Sequence, residues 1–217
     1  LGTIEPRKNV ASLVRAFRSS RLAYDSPLSE YQLIIAGGRG WQDQLVYQAI
    51  ADANASILGV KKKRSGDERR SGFDLKNKLV MAGKKDRRRT MERRLNQPVK
   101  YIGYVSPAEK TQLLCHTACF VFPSLYEGFG LPVLEAMSLG APVITSNLSS
   151  LPEITGSQGA LLIDPNKEAE ITDALNQIVT DEGLRESLII NGHKQSKYFS
   201  WLKCAKDTLA VYESAWA

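Results

Sequence analysis

Residues 124–140 read Ser124-Leu-Tyr-Glu-Gly-Phe-Gly-Leu-Pro-Val-Leu-Glu-Ala-Met-Ser-Leu-Gly140, with two carboxylates, Glu127 and Glu135, set around a glycine-rich turn. The apolar run just before it, Ala118 to Phe122, has the length of a buried strand. A turn leaving the carboxyl end of such a strand is where open α/β sheets hold ligands. Pro132 suits the first turn of a helix, where its missing N–H leaves nothing unpaired, and Leu134, Met137 and Leu139 then share an apolar side. The spacing predicts a helix over Leu131–Leu139 whose first N–H groups, near Gly130, Leu131 and Val133, face the crevice. With the positive end of the helix dipole behind them, they suit a phosphate. Glu135 falls about one turn further in, within reach of hydroxyls beyond that phosphate. The stretch describes a cradle for a polyhydroxylated, phosphate-linked ligand. A plainer reading gives Gly128 and Gly130 only the positive φ of a tight turn, and leaves the two carboxylates to the helix dipole and to solvent.

Working outward, apolar runs alternate with amphipathic patterns: Asn9 to Arg18, Tyr31 to Ala36, Val99 to Gly103, Pro107 to His116, Pro142 to Thr145, Leu161 to Ile163 and Glu168 to Val179. Such alternation predicts an α/β fold with a Rossmann-like parallel sheet and helices on both faces. A last helix opens at Ser200 and carries Leu202, Ala205, Leu209, Tyr212 and Trp216, a helical spacing that predicts core packing. The opening residues Leu1-Gly-Thr-Ile read as the tail of a first strand. Tyr31 to Gly38 followed by Arg39-Gly-Trp41 has the outline of a dinucleotide fingerprint, but its spacing is wrong and no acidic residue falls at the expected distance.

The Ser124–Gly140 stretch resembles the E-x7-E motif of retaining glycosyltransferases of the GT-B fold, family 4, the group 1 set. The resemblance implies that Glu127, Gly128, Phe129 and Gly130 meet the donor sugar, that Leu131 and Pro132 flank the phosphate site, and that Glu135 holds the nucleotide ribose. Gly2-Thr-Ile-Glu-Pro-Arg-Lys-Asn9 resembles the family's first strand-to-helix turn, whose lysine, here Lys8, neutralises the leaving diphosphate. Many members carry an arginine just after the glycine of this turn, where this chain has Thr3. Arg7 is the candidate substitute, although neighbouring residues at a helix start point in different directions. Glu127 and Lys8 are thus the residues expected at the chemistry, with Gly2 and Arg7 beside them. Lys100-Tyr-Ile-Gly-Tyr-Val-Ser106 ends a strand and enters a capping box, Ser106 to Glu109. There the resemblance makes Tyr104 and Val105 contacts to the base, and an ordinary strand end explains them equally. Ser146 to Glu153 resembles a further loop lining the donor crevice, and Ala160 to Pro165 the short strand after it.

These segments all match the C-terminal half of the GT-B fold. The resemblance therefore implies a single nucleotide-sugar-binding domain over residues 1–217, inactive alone, with an N-terminal acceptor domain lying outside this chain. The implied reaction moves a hexose from a nucleoside-diphosphate sugar to an acceptor glycan or lipid-linked sugar in polysaccharide or glycolipid synthesis. Members with a Glu-Pro-Arg-Lys-Asn turn lean towards mannosyl and other hexosyl transfer. Protein cations and helix amides are expected to carry the diphosphate charge, with no metal and no cofactor. Three rivals remain: a GT-B nucleotide-sugar epimerase, a binding module that catalyses nothing, and a glycoside hydrolase pairing Glu127 with Glu135. The last leaves Lys8 and the phosphate cradle without a role.

With 217 residues and 43% hydrophobic content, the chain is long enough for a sizeable core. Its net charge of +6 is concentrated at about residues 61–94. That segment has 15 of the 29 Lys and Arg and 5 of the 23 Asp and Glu, a net +10 against −4 for the rest. The first reading of this insertion is a solvated segment. The second is a patch for anionic membrane, where each cation gains about 1 kcal/mol. Nucleic acid comes last, since Phe73 is the segment's only aromatic residue and stacking has little to work with. Cys115, Cys119 and Cys204, odd in number and in apolar surroundings, read as small core residues of a reducing compartment. His116 and His193 are too scattered to complete a metal site. No signal peptide or transmembrane run is apparent, which fits a cytoplasmic chain, peripheral to the inner membrane face if the basic patch binds lipid.

Overall fold

A computed structural model describes residues 2–59 and 97–216. The basic segment at 61–94 lies outside the described residues. The strands are β1 (Leu33–Ala36), β2 (Val99–Gly103), β3 (Phe120–Phe122), β4 (Val143–Ser146) and β5 (Leu161–Ile163). β1 and β2 pair in parallel, as do β3, β4 and β5 in that order. Residues 2–4 run beside the end of β1: Gly2 donates to the Ala36 carbonyl at 3.2 Å, Ile4 to that of Gly38 at 3.0 Å, and Ile4 bridges Arg39 in parallel.

Helices cover both faces, as the alternation predicts. One face packs α1 (Val10–Arg21), α2 (Gln44–Ile57) and α6 (Glu168–Thr180) on a core that includes Ile4, Leu13, Phe17, Ile35, Val99, Ile144 and Ile171. The other packs α3 (Pro107–Cys115), α4 (Leu131–Ser138) and α5 (Leu151–Thr155) through Leu114, Phe120, Phe122, Val133, Met137, Leu151 and Ile154. α1 starts directly from a short 3-10 turn, Pro6–Lys8, because Asn9 takes a left-handed conformation (φ 53°) that a short polar side chain tolerates. Its side-chain amide donates to the Pro165 carbonyl at 2.7 Å and ties this turn to the end of β5. The predicted capping box closes α3: Ser106 Oγ accepts from the Glu109 N–H, and the Glu109 carboxylate accepts from the Ser106 N–H at 2.8 Å. Asn54 of α2 holds the start of β2 from both sides, donating to the Val99 carbonyl at 2.9 Å and accepting from its N–H at 3.0 Å.

Four features depart from the sequence reading. The segment read as a loop after β4 contains the one-turn helix α5, and a helix without an apolar stripe, α7 (Glu182–Ser196), follows α6. α7 docks through Leu188 and, beyond it, through small residues: a Cβ at Gly192 would lie 3.1 Å from the Gly159 carbonyl and 3.3 Å from Met137. The final helix, α8 (Trp201–Trp216), has no buried residue, and Trp216 is 95% exposed. Its apolar spacing predicts a core, but among the described residues no other element covers it. Cys115 and Cys204 are likewise exposed rather than core, since each sits at or beyond the end of a packed segment. Only Cys119 packs against the first core, and burial pushes its thiol up to about 12, which leaves it inert as a nucleophile. Among the described residues no helix is long and apolar enough to cross a membrane.

Candidate functional site

The turn between β3 and α4 is held by its neighbours more than by itself. The Glu127 N–H donates to Ser149 Oγ at 3.0 Å, and Ser150 Oγ donates to the carbonyls of Glu127 (3.1 Å) and Phe129 (2.7 Å). The loop after β4 therefore works from beneath, as a clamp on the turn. Gly130 (φ +109°) caps α4 in a conformation that favours glycine, and a Cβ there would lie 2.7 Å from Leu151 Cδ2. Gly128 has no positive φ and open space around it, so of the two glycines only Gly130 is needed by the backbone. The Phe129 ring leaves the turn and meets Phe199 edge-on at 5.8 Å.

The turn preceding α1 meets this one. The Arg7 carbonyl accepts from the Leu125 N–H at 2.7 Å, fixing the two turns side by side. Lys8 Nζ reaches Glu127 Oε1 at 2.5 Å and Arg7 Nη1 reaches Glu127 Oε2 at 2.9 Å, so each carboxylate oxygen has its own cation. The expectation that adjacent residues diverge does not hold for this pair. The Pro6–Lys8 turn is 3-10, and the Arg7 side chain bends back, its Nε held by Glu5 at 2.7 Å and its Nη1 also donating to the Tyr126 carbonyl. Lys8 Nζ also lies 4.6 Å from the centre of the Phe122 ring.

Glu127 is buried, and burial pushes its carboxyl up. The hydrogen bond and charge of Lys8, with the charge of Arg7, outweigh that push and hold it below the ordinary glutamate range. Among the described residues the fully buried Ser124 hydroxyl finds no hydrogen-bond partner, so the two cations account for the lowering.

At the start of α4, the Val133 N–H is already given to the Gly130 carbonyl at 2.9 Å, and Pro132 has none to give. The amides left for an anion are those of Gly130 and Leu131, one fewer than the sequence reading supplies. Glu135 sits further along α4, half-exposed, and both its oxygens accept from Lys110 Nζ at 2.8 Å. Lys110 is a residue the sequence reading missed. Its position one turn before Leu114 is the available signal, since residues i and i+4 share a helix face and Leu114 belongs to the core that α3 shares with α4. Through it, the β2–α3 turn is tied to Glu135. Tyr104, 80% exposed, and Val105 lie on that turn, and among the described residues neither forms a hydrogen bond with Glu127 or Glu135. Gly2 pairs with β1 rather than reaching Glu127. Among the described residues no group of three or more His, Cys, Asp or Glu is placed to hold a metal ion.

The site thus consists of two cations on a buried carboxylate, two free amides at a helix start and a second carboxylate one turn on. The sequence pattern of the Glycosyl transferases group 1 family matches residues 73–195. The chain belongs to that family. It is 33% identical over 213 residues to O-antigen chain mannosyltransferase B of Escherichia coli, an alignment that covers 98% of this chain and 44% of that protein. In fold it is similar to an alpha,alpha-trehalose-phosphate synthase (UDP-forming) from Burkholderia vietnamiensis. The TM-score is 0.71 at 12% identity, over 99% of this chain and 44% of that one. It is also similar to Anabaena Alr3699/HepE, solved in complex with UDP and glucose, with a TM-score of 0.64 at 16% identity over 98% of this chain and 47% of that one. At those identities the two structures establish the fold of this family member. The chain spans less than half the length of each of these three proteins.

Proposed function

We propose that this chain is the donor-binding domain of a retaining hexosyltransferase, the C-terminal half of a GT-B pair. One observation carries the reading: Lys8 and Arg7 converge on Glu127 beside the free amides of Gly130 and Leu131. Cleaving a sugar–phosphate bond leaves a nucleoside diphosphate with added negative charge, and cations and amides fixed at that point act most strongly in the transition state. Lys8 pairs with Glu127, and Arg7 with Glu127 and Glu5, so both cations are held in place before any donor arrives. Arg7 then fills the place of the arginine that Thr3 replaces. Glu127, kept ionised by the same two cations, faces the sugar as an acceptor of hydroxyl hydrogen bonds, and Glu135 takes the ribose hydroxyls. The reading needs no metal. The likeness to a mannosyltransferase favours a mannosyl or related hexosyl donor, with a glycan or lipid-linked sugar as acceptor.

Calorimetry with UDP-glucose, GDP-mannose and ADP-glucose tests it. Saturable binding of one donor, competed by its nucleoside diphosphate, is expected, and no binding by any of the three overturns the reading. A cytoplasmic chain of this kind offers residues 61–94 to an anionic membrane. Flotation with anionic liposomes, with and without that segment, is expected to differ, and equal flotation removes the membrane role.

A further inference from the structure

Charge balance sets one residue apart beside the site. Glu5 precedes the Pro6–Lys8 turn, and its carbonyl accepts from the Lys8 N–H at 3.0 Å. Its side chain does nothing for that turn: it makes no capping hydrogen bond, although a carboxylate at a helix start is well placed for one. Instead Glu5 Oε1 meets Arg7 Nε at 2.7 Å, while Arg7 Nη1 goes to Glu127 Oε2 at 2.9 Å. The guanidinium is held between carboxylates from two different turns.

Exposure shows which cation an incoming anion meets. The Arg7 side chain is 43% exposed, whereas those of Lys8, Glu5 and Glu127 are 11%, 16% and 8% exposed. Glu5 and Glu127 therefore grip Arg7 from the protein side and leave the rest of it open to the site. Charge in the cluster is matched, with Arg7 and Lys8 against Glu5 and Glu127. Without Glu5 the cluster carries an excess positive charge. Such an excess acts unequally on the two ligands of a transferase. A nucleoside diphosphate is more negative than the sugar diphosphate it comes from, so added positive charge holds the product more tightly than the donor.

On the donor reading given above, which this step requires, we propose that Glu5 is a positioning residue: it holds Arg7 over the site and offsets its charge, so that the nucleoside diphosphate leaves after transfer. The carboxylate gives up affinity for the product, whose release sets the turnover of many enzymes. In return the guanidinium stays in place for the step in which charge develops on the diphosphate.

Calorimetry on the wild type, Glu5→Gln and Glu5→Asp tests it, with UDP, GDP and ADP and with UDP-glucose, GDP-mannose and ADP-glucose. Gln removes the charge and keeps an oxygen for Arg7 Nε; Asp keeps the charge and gives up the reach. In Glu5→Gln the nucleoside diphosphate is expected to bind about fivefold or more tighter than in the wild type at low salt. Its nucleotide sugar should gain less, the gain should shrink at high salt, and Glu5→Asp should gain nothing. A merely structural part for Glu5 would weaken both ligands. Unchanged or weaker diphosphate binding in Glu5→Gln overturns the proposal, as does an equal gain for the nucleotide sugar or an equal gain in Glu5→Asp. Those outcomes leave the donor reading standing, whereas absence of binding to the wild type by all six ligands overturns both.

Discussion

Replacing Lys8 by Met removes the closer of two cations from a buried carboxylate and keeps the length of the side chain. Truncating one partner of a buried ion pair costs about 3–5 kcal/mol when the remaining charge is left alone. Glu127 is not left alone: Arg7 stays on its other oxygen, but Arg7 is 43% exposed and water screens it, whereas Lys8 is 11% exposed. The expected loss at pH 7 is therefore about 1–3 kcal/mol. Its pH dependence separates charge from packing. In the wild type the folded-state pKa of Glu127 lies below the unfolded value of about 4.3, so the pair's stabilisation is fully present above that pH and fades as the pH falls through the folded value. In Lys8→Met the push from burial remains while the Lys8 hydrogen bond and charge are gone, so the pKa of Glu127 moves up and protonation relieves the variant. Urea unfolding at pH 7, 5 and 3.5 should show the gap between the two proteins narrowing below about pH 4.5. A gap constant across that range would refute the reasoning and assign the loss to the Lys8 contact with the Phe122 ring.

Asn54→Ala leaves both backbone groups of Val99 buried without partners, and denaturant unfolding should show a loss of about 2–4 kcal/mol. Gly130→Ala strains a φ of +109° and pushes on Leu151, so its melting temperature should fall by several degrees, whereas Gly128→Ala, with open space and no positive φ, should change it little. Lys110→Met breaks a half-exposed pair with Glu135, so stability should move by less than about 1 kcal/mol while the affinity measured for the nucleoside diphosphate of the proposed donor changes.

The alternation of apolar runs and amphipathic patterns made the α/β layers legible, and the capping box at Ser106 and Pro132 at the second position of α4 marked two helix starts. α7 could not be read, because in its buried row of Leu188, Gly192 and Ser196 only Leu188 is strongly apolar, too little for an apolar period. α8 was misread for the opposite reason: it has the period, but apolar spacing says a helix has a sticky side without saying what lies against it. In the site, Glu127 and Lys8 were legible as a spaced motif. The part played by Arg7 was not, since it depends on the 3-10 geometry of Pro6–Lys8 and on Glu5 turning the guanidinium back. Ser149, Ser150 and Lys110 come from separate loops and helices, and only the folded chain brings them to Glu127 and Glu135.

The central claim is that the Lys8–Glu127 turn and Glu135 hold the two ends of a nucleoside diphosphate. Calorimetric titration of UDP, GDP and ADP into the wild type, Lys8→Ala and Glu135→Ala tests it most directly. At least one nucleotide should bind the wild type, and its affinity should fall about tenfold or more in each variant, a loss of about 1.4 kcal/mol. Affinity indifferent to both substitutions would contradict the account.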